Sequence, residues 1–114
     1  MDDCIFCQIA AGQIPARIAA QDDDLVAFHD LNPKAPVHVL VIPRRHFATT
    51  NDLTVEDAPL LGRIFTRIPQ LAADLGIGPK GYRVVVNCLA PAGQSVFHVH
   101  FHLMGGRAFG WPPG

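Results

Sequence analysis

The chain is short of charge. Of its 114 residues only 17% are Asp, Glu, Lys or Arg, and 9 basic against 10 acidic side chains leave a formal net charge of −1. Nucleic-acid binding rests on clustered cations, so a balance this even excludes a polyanionic duplex as the main partner. A small anionic ligand needs only local donors and stays open. The start, MDDCIFCQIA, lacks the basic-then-apolar order of a secretory signal. No apolar run reaches the ~20 residues of a membrane span. There are three cysteines, Cys4, Cys7 and Cys88. An odd count with no signal points to a reducing compartment, where cysteines are thiols or metal ligands. Repeats, low-complexity tracts and linkers are absent too. These absences predict a cytoplasmic protein bound to neither membrane nor nucleic acid, with residues 1–114 forming a single domain.

What is present is a folding composition, 49% apolar. Ile5, Phe6 and Ile9 recur at helical spacing and Gly12 follows, predicting a short N-terminal helix. The apolar runs 17–21 and 25–30, parted by three aspartates, predict a hairpin with an acidic turn. Residues 37–43, rich in β-branched side chains and ended by Pro43, predict a buried strand. Thr54 reads as a helix N-cap, with Asp57 three residues on. Leu60, Leu61, Ile64, Phe65, Ile68, Leu71, Ala72 and Leu75 then keep a helical period until Gly76. Pro69 interrupts that run and predicts a kink or a break. Residues 82–87 and 99–105 read as strands. About five strands and two helices without regular alternation predict an α+β domain on an antiparallel sheet, with the helices covering one face.

The stretch QSVFHVHFHLMGG holds three of the six histidines, His98, His100 and His102. On a strand these line one face, with successive rings about 6.7 Å apart along the chain. Val99, Phe101 and Leu103 point the other way, toward the core. Two chemistries suit such a face. Two of the rings with a third ligand from elsewhere can hold zinc for a hydrolase. Alternatively one neutral imidazole attacks phosphorus while its neighbours orient it and donate to phosphate oxygens. Gln94 and Ser95 add small donors just before the triad.

The stretches LVAFHDLNPKAPVHVLVIPRRH, LGIGPKGYRVVVN, AGQSVFHVHFHLMGG and the closing WPPG stand in an order that resembles the histidine triad family, whose motif alternates three histidines with apolar residues. Within it the chain looks like the Hint-like branch of nucleotide-binding phosphoramidases. The resemblance implies the histidine triad fold, a short N-terminal helix and one long helix on a five-stranded sheet, and a two-fold dimer with a continuous sheet across the interface. It implies hydrolysis of a purine nucleoside phosphoramidate through a nucleotidyl adduct on His100, releasing an AMP-like product. His102 matches the contact to the α-phosphate, His98 the residue orienting the nucleophile, and His38 a fourth histidine within the triad. Ser95 matches the contact to the leaving group, with Gln94 beside it. Asp30 matches the carboxylate that holds the ribose, flanked by Phe28, His29 and Leu31. Ile5, Phe6 and Ile9 match the apolar wall around the base, and Asn87 and Gly93 the phosphate pocket.

The same resemblance, in its bacterial zinc-containing type, assigns Cys4, Cys7, His46 and His98 to a structural zinc. Four such ligands close a tetrahedral site and leave no position for chemistry. Trp111 is the only tryptophan, and a Trp on an extended tail needs a surface to cover. The resemblance places it at the partner subunit's site. Cys88 and Leu89 depart from the family's pattern, as Pro69 does. Two other readings are weighed against this one: a nucleotide-binding regulatory module with incidental turnover, and a zinc-dependent hydrolase on the three-histidine strand.

Overall fold

The computed structural model describes residues 3–114. Helix α1 spans Ile5–Ala10, and the Cys4 thiol caps it by accepting from the Cys7 N–H. Gly12 supplies the left-handed residue, φ +72°, just past its end. Strands β1 (Ile18–Gln21) and β2 (Leu25–His29) form the expected hairpin. Its acidic turn is an Asx turn, the Asp22 carboxylate accepting from the Asp24 and Leu25 amides at 2.8 and 3.0 Å. Arg44 ties α1 to this hairpin, donating to the carbonyls of Ala10 and Asp22 at 2.8 and 2.7 Å.

Strand β3 (Val37–Pro43) is followed by two short 3₁₀ turns before helix α2 (Ala58–Asp74). The Thr54 cap is present, the Asp57 carboxylate accepting from the Thr54 N–H at 2.9 Å. The turn it caps, Val55–Asp57, is 3₁₀, and α-helical geometry starts only at Ala58. A sister cap, Thr49 with Asp52, precedes it and has no counterpart in the sequence reading. Helix α2 runs unbroken through Pro69. An interior proline costs about 3 kcal/mol. Ile64 and Ile68 before it and Leu71 and Ala72 after it are all buried on the sheet. Full burial of the three larger side chains contributes about 1.5–3 kcal/mol each, which outweighs the lost bond.

Strands β4 (Tyr82–Val86) and β5 (Phe101–Gly105) complete a five-stranded antiparallel sheet in the order β1-β2-β3-β5-β4. The last strand is therefore interior, with His102 facing Leu40 on one side and Val85 on the other. Ladder pairing begins at Phe101, later than the expected 99. The Val99 amide donates instead to the Phe47 carbonyl at 2.7 Å, in the loop after β3. His98 and His100 thus sit on an extended lead-in, and only His102 is in the sheet.

The helices do not share a face. Leu25, Ala27, Val39, Val41, Phe101 and Leu103 pack under α2. The alternate residues Val26, Phe28, Leu40 and Ile42 pack against Phe6 and Ile9 of α1. Strand periodicity made both faces of β2 and β3 apolar, and a sheet apolar on both faces must be covered on both. No helix among the described residues is long and apolar enough to cross a membrane.

Gly105 lies where β5 meets Ile77, and a Cβ there would stand 2.8 Å from two carbons of that buried side chain. Gly105→Ala is expected to destabilise the fold by about 1–3 kcal/mol through overpacking. Urea unfolding of the variant against wild type measures it.

Candidate functional site

His98 is fully buried. Its Nε2–H donates to the Pro43 carbonyl at 2.8 Å. A neutral imidazole has one proton, so Nδ1 keeps its lone pair. Burial lowers the His98 pKa, which favours that neutral form. Nδ1 faces the Cys4 and Cys7 sulfurs at 3.4 and 3.5 Å and His46 Nδ1 at 3.2 Å; Cys7 lies 3.3 Å from His46 Nδ1. A tetrahedral zinc with its usual bond lengths separates two nitrogen ligands by about 3.3 Å and nitrogen from sulfur by about 3.6 Å. The four groups fit that tetrahedron. Burial and the adjacent Cys4 push the Cys7 thiol up to about 11, so the cluster is a poor home for thiolates unless a cation joins them.

The other two triad rings are polarised by the same logic. His100 donates Nδ1–H to the His98 carbonyl at 2.8 Å, which leaves Nε2 as a free lone pair. Phe6 meets the ring edge-on, 5.2 Å between centroids. His38 Nδ1 accepts from the Lys34 amide at 2.9 Å, so its proton is on Nε2. That proton points to His102 Nδ1 at 2.9 Å, with the Asp30 carboxylate at 3.4 Å. His102 must then carry its own proton on Nε2. Burial first, then His100 and His38, bring the His102 pKa down to about 4, with Asp30 opposing. The ring is neutral at physiological pH. Asp30, His38 and His102 also lie close enough together to hold a metal ion. The Lys34 amide forbids it, because His38 Nε2 is protonated and has no lone pair to offer.

Two cavities meet at this wall. The first has a volume of about 260 Å³ and is lined by Ile5, Phe6 and Ile9 of α1, by Phe28 and His29 of β2, and by Asp30, Leu31, Ser95, His100 and His102. Burial lowers the His29 pKa. Leu31 stands fully exposed at the rim. The second cavity, about 580 Å³, lies on the far side of His102 and is lined in part by Asp30, His38, Asn87, Ser95 and His102. Ser95 borders both. Gly93 packs near the Asn87 amide with φ +106°, a turn conformation that favours glycine.

One of the expected ligand contacts sits elsewhere. Gln94 is buried, its amide donating to the Ala48 and Val96 carbonyls at 2.7 and 3.1 Å and accepting from the Leu89 amide at 2.7 Å. Every one of these partners is backbone, so Gln94 braces the loop that carries Ser95 and is not aimed into either cavity. Part of what it holds is Leu89, the only non-glycine described residue at positive φ, +75°. Trp111 is 86% exposed and borders neither cavity of its own chain. Conversely, Leu40, Val96 and Arg17 line the first cavity and Lys34, Arg83 and Arg107 the second, without having drawn attention in the sequence. The strand parity of Arg83 and Asn87 in YRVVVN is the one signal that places a cation on the site's face.

A sequence model of the family described as "Scavenger mRNA decapping enzyme C-term binding" matches residues 3–109. An uncharacterized HIT-like protein of Synechocystis sp. is 49% identical over 99% of this chain and 98% of its own length. The purine nucleoside phosphoramidase of Escherichia coli (strain K12) is 41% identical over 96% of this chain and 92% of its own. Among solved structures, a HIT family hydrolase from Legionella pneumophila Philadelphia 1 superposes with a TM-score of 0.96 at 46% identity, covering 98% of this chain and all of that one. Matches of this extent, over a chain that brings His98, His100 and His102 together as described, show that it belongs to the histidine triad family.

Proposed function

We propose that the chain hydrolyses purine nucleoside phosphoramidates through a nucleotidyl adduct on His100. The observation that carries this reading is the proton order of the site: a bare His100 Nε2 beside a protonated His102 Nε2, both lining one cavity. The relative named purine nucleoside phosphoramidase supports the substrate class. The base lies against Ile5, Phe6, Ile9 and Phe28, and Asp30 takes the ribose hydroxyls. His100 Nε2 attacks the α-phosphorus, held in line by the His98 carbonyl. His102 Nε2–H and the Asn87–Gly93 corner stabilise the phosphate oxygens. The P–N bond breaks, its electron pair leaves with the amine, and the amine takes a proton from solvent relayed by the Ser95 hydroxyl. Water then attacks phosphorus, the bond to His100 breaks, the nucleoside monophosphate departs, and the proton shed by that water restores the first.

Zinc is the ion proposed for Cys4, Cys7, His46 and His98, on the match of mixed thiolate and imidazole ligands to its preferences. When bound it supplies cross-linking of α1 to the lead-in of β5. His98 gives its ring to that cluster and only its carbonyl to the catalytic side, so His98 and His100 do not share an ion. The proposed assembly is a homodimer. The outer edge of β4 is unpaired among the described residues, and Tyr82, Val86 and nearby Phe65 are exposed apolar side chains. In that dimer Trp111 would cover the partner's leaving-group side.

With an adenosine phosphoramidate, His100→Ala is expected to lose at least about 10³-fold in kcat/KM while still binding AMP. Equal rates in the two proteins would sink the enzyme reading, and binding without turnover in wild type would leave the regulatory module. Cys7→Ser is expected to lose its zinc by elemental analysis and on the order of 4 kcal/mol in urea unfolding. Wild type treated with chelator should keep its turnover as long as it stays folded. The pKa of His102 falls from 6.5 to about 4 on folding, so the unfolded chain binds more protons between those values. Stability present above pH 6.5 should therefore be lost as pH falls through about 4. Unfolding curves across that range should be shallower in pH dependence for His102→Gln.

A further inference from the structure

The larger cavity beyond His102 gathers three cations around a single carboxylate. Among the described residues, Arg45, Arg63 and Arg67 each face a carboxylate within 4.0 Å. Lys34, Arg83 and Arg107 line the cavity and are in no such pair. The one carboxylate in its wall, Asp30, is turned to the Asn32 amide at 2.8 Å and to His38 at 3.4 Å. Three cations against one engaged anion leave the cavity positive in a chain whose formal net charge is −1.

The guanidiniums are placed, not loose. Arg83 donates to the Gly110 carbonyl at 2.7 Å, and Arg107 to the Lys34 and Ala108 carbonyls at 3.0 and 2.9 Å. Both stand against the Phe109 ring, 5.2 and 4.3 Å from its centroid. Carbonyls and an aromatic face orient a guanidinium without neutralising it, and its remaining N–H groups stay available for a bidentate anion. Position follows from strand register. Val85 faces His102 and Arg83 faces Met104, so Arg83 lies two residues along the same face. That is about 7 Å along the strand from the phosphate contact. A leaving amine that carries an anion two or three bonds from its nitrogen spans that gap together with an arginine side chain.

We infer that this cavity is the leaving-group subsite and that Lys34, Arg83 and Arg107 select a leaving amine bearing its own anion, a carboxylate or a phosphate-like group. The inference rests on the phosphoramidate reading above and adds the class of amine. The cations take no part in breaking the P–N bond. They hold the far end of the substrate so that its nitrogen lies at Ser95 and His102.

The test uses three adenosine 5′-phosphoramidates, N-linked to β-alanine, to its neutral carboxamide, and to an aminoalkylphosphonate of equal length. Wild type is expected to favour the carboxylate over the carboxamide by about tenfold in kcat/KM at low ionic strength, a ratio that shrinks with added salt. Lys34→Gln and Arg107→Gln should each reduce the ratio severalfold, and the double variant should bring it near 1. Lys34 has no side-chain hydrogen bond to lose, so its variant separates charge from folding. A phosphonate preferred along with, or over, the carboxylate supports the subsite and names its anion. A carboxamide hydrolysed as well as or better than both anions by wild type overturns the inference and leaves the phosphoramidase reading intact. Hydrolysis of none of the three overturns that reading itself.

Discussion

The buried hydrogen bond from the His98 ring to the Pro43 carbonyl is the constraint on which both halves of the site depend. It fixes the tautomer, and the tautomer decides which ring nitrogen meets the cysteines. With Nε2 committed, Nδ1 is the only atom His98 can give to Cys4, Cys7 and His46. The same residue's carbonyl takes the Nδ1 proton of His100 and so bares Nε2 toward the cavity. A charged His98 would have no lone pair to give the cysteines, and burial favours the neutral ring. The Pro43 carbonyl at the end of β3 thus turns the His98 ring toward the cysteines, while the backbone carbonyl of His98 itself holds the His100 ring.

A second relay runs in parallel from the Lys34 amide through His38 to His102. Both relays begin at a backbone group whose polarity cannot change with pH. That is why each neutral ring keeps one tautomer although the groups are imidazoles. The sheet carries the relays because β5 is interior, clamped by β3 and β4. Helix α1 covers the β2–β3 part of the face and makes an apolar slot there. The β4–β5 part is left open, and Lys34, Arg83 and Arg107 border the cavity there. One face is divided by His102 into an apolar end and a positive end, which suits a substrate with a base at one terminus and an anion at the other.

Much of the fold was legible because its elements carry strong periodicity. The hairpin with its Asp22 turn, the buried strand before Pro43, the Thr54 cap and the long amphipathic helix all followed from local pattern. Of the two outcomes read from Pro69, one long helix or a break, the single helix holds, since buried residues on either side of the proline keep α2 on the sheet. Where the reading failed, long-range packing had overridden a local rule. The strand expected from 99 starts at 101, since the Val99 amide is claimed by Phe47 from a distant loop. The two helices lie on opposite faces, a choice that no single element's periodicity contains. Gln94 looked like a ligand donor and is spent on three backbone groups, which is visible only once residues 48, 89 and 96 are neighbours.

By itself the sequence determined the candidate chemistry: three histidines at alternate positions, a Cys-x-x-Cys pair, an apolar segment and a carboxylate in the order of the histidine triad family. Residue type and spacing suffice for that, because side-chain chemistry and strand parity are local. Only the tertiary structure decided which nitrogen of each ring holds a proton and which cations stand without a counter-ion. Those are properties of partners brought together from up to 94 residues away along the chain. An imidazole's tautomer, like a guanidinium's net field, is set by what faces it and not by what precedes it.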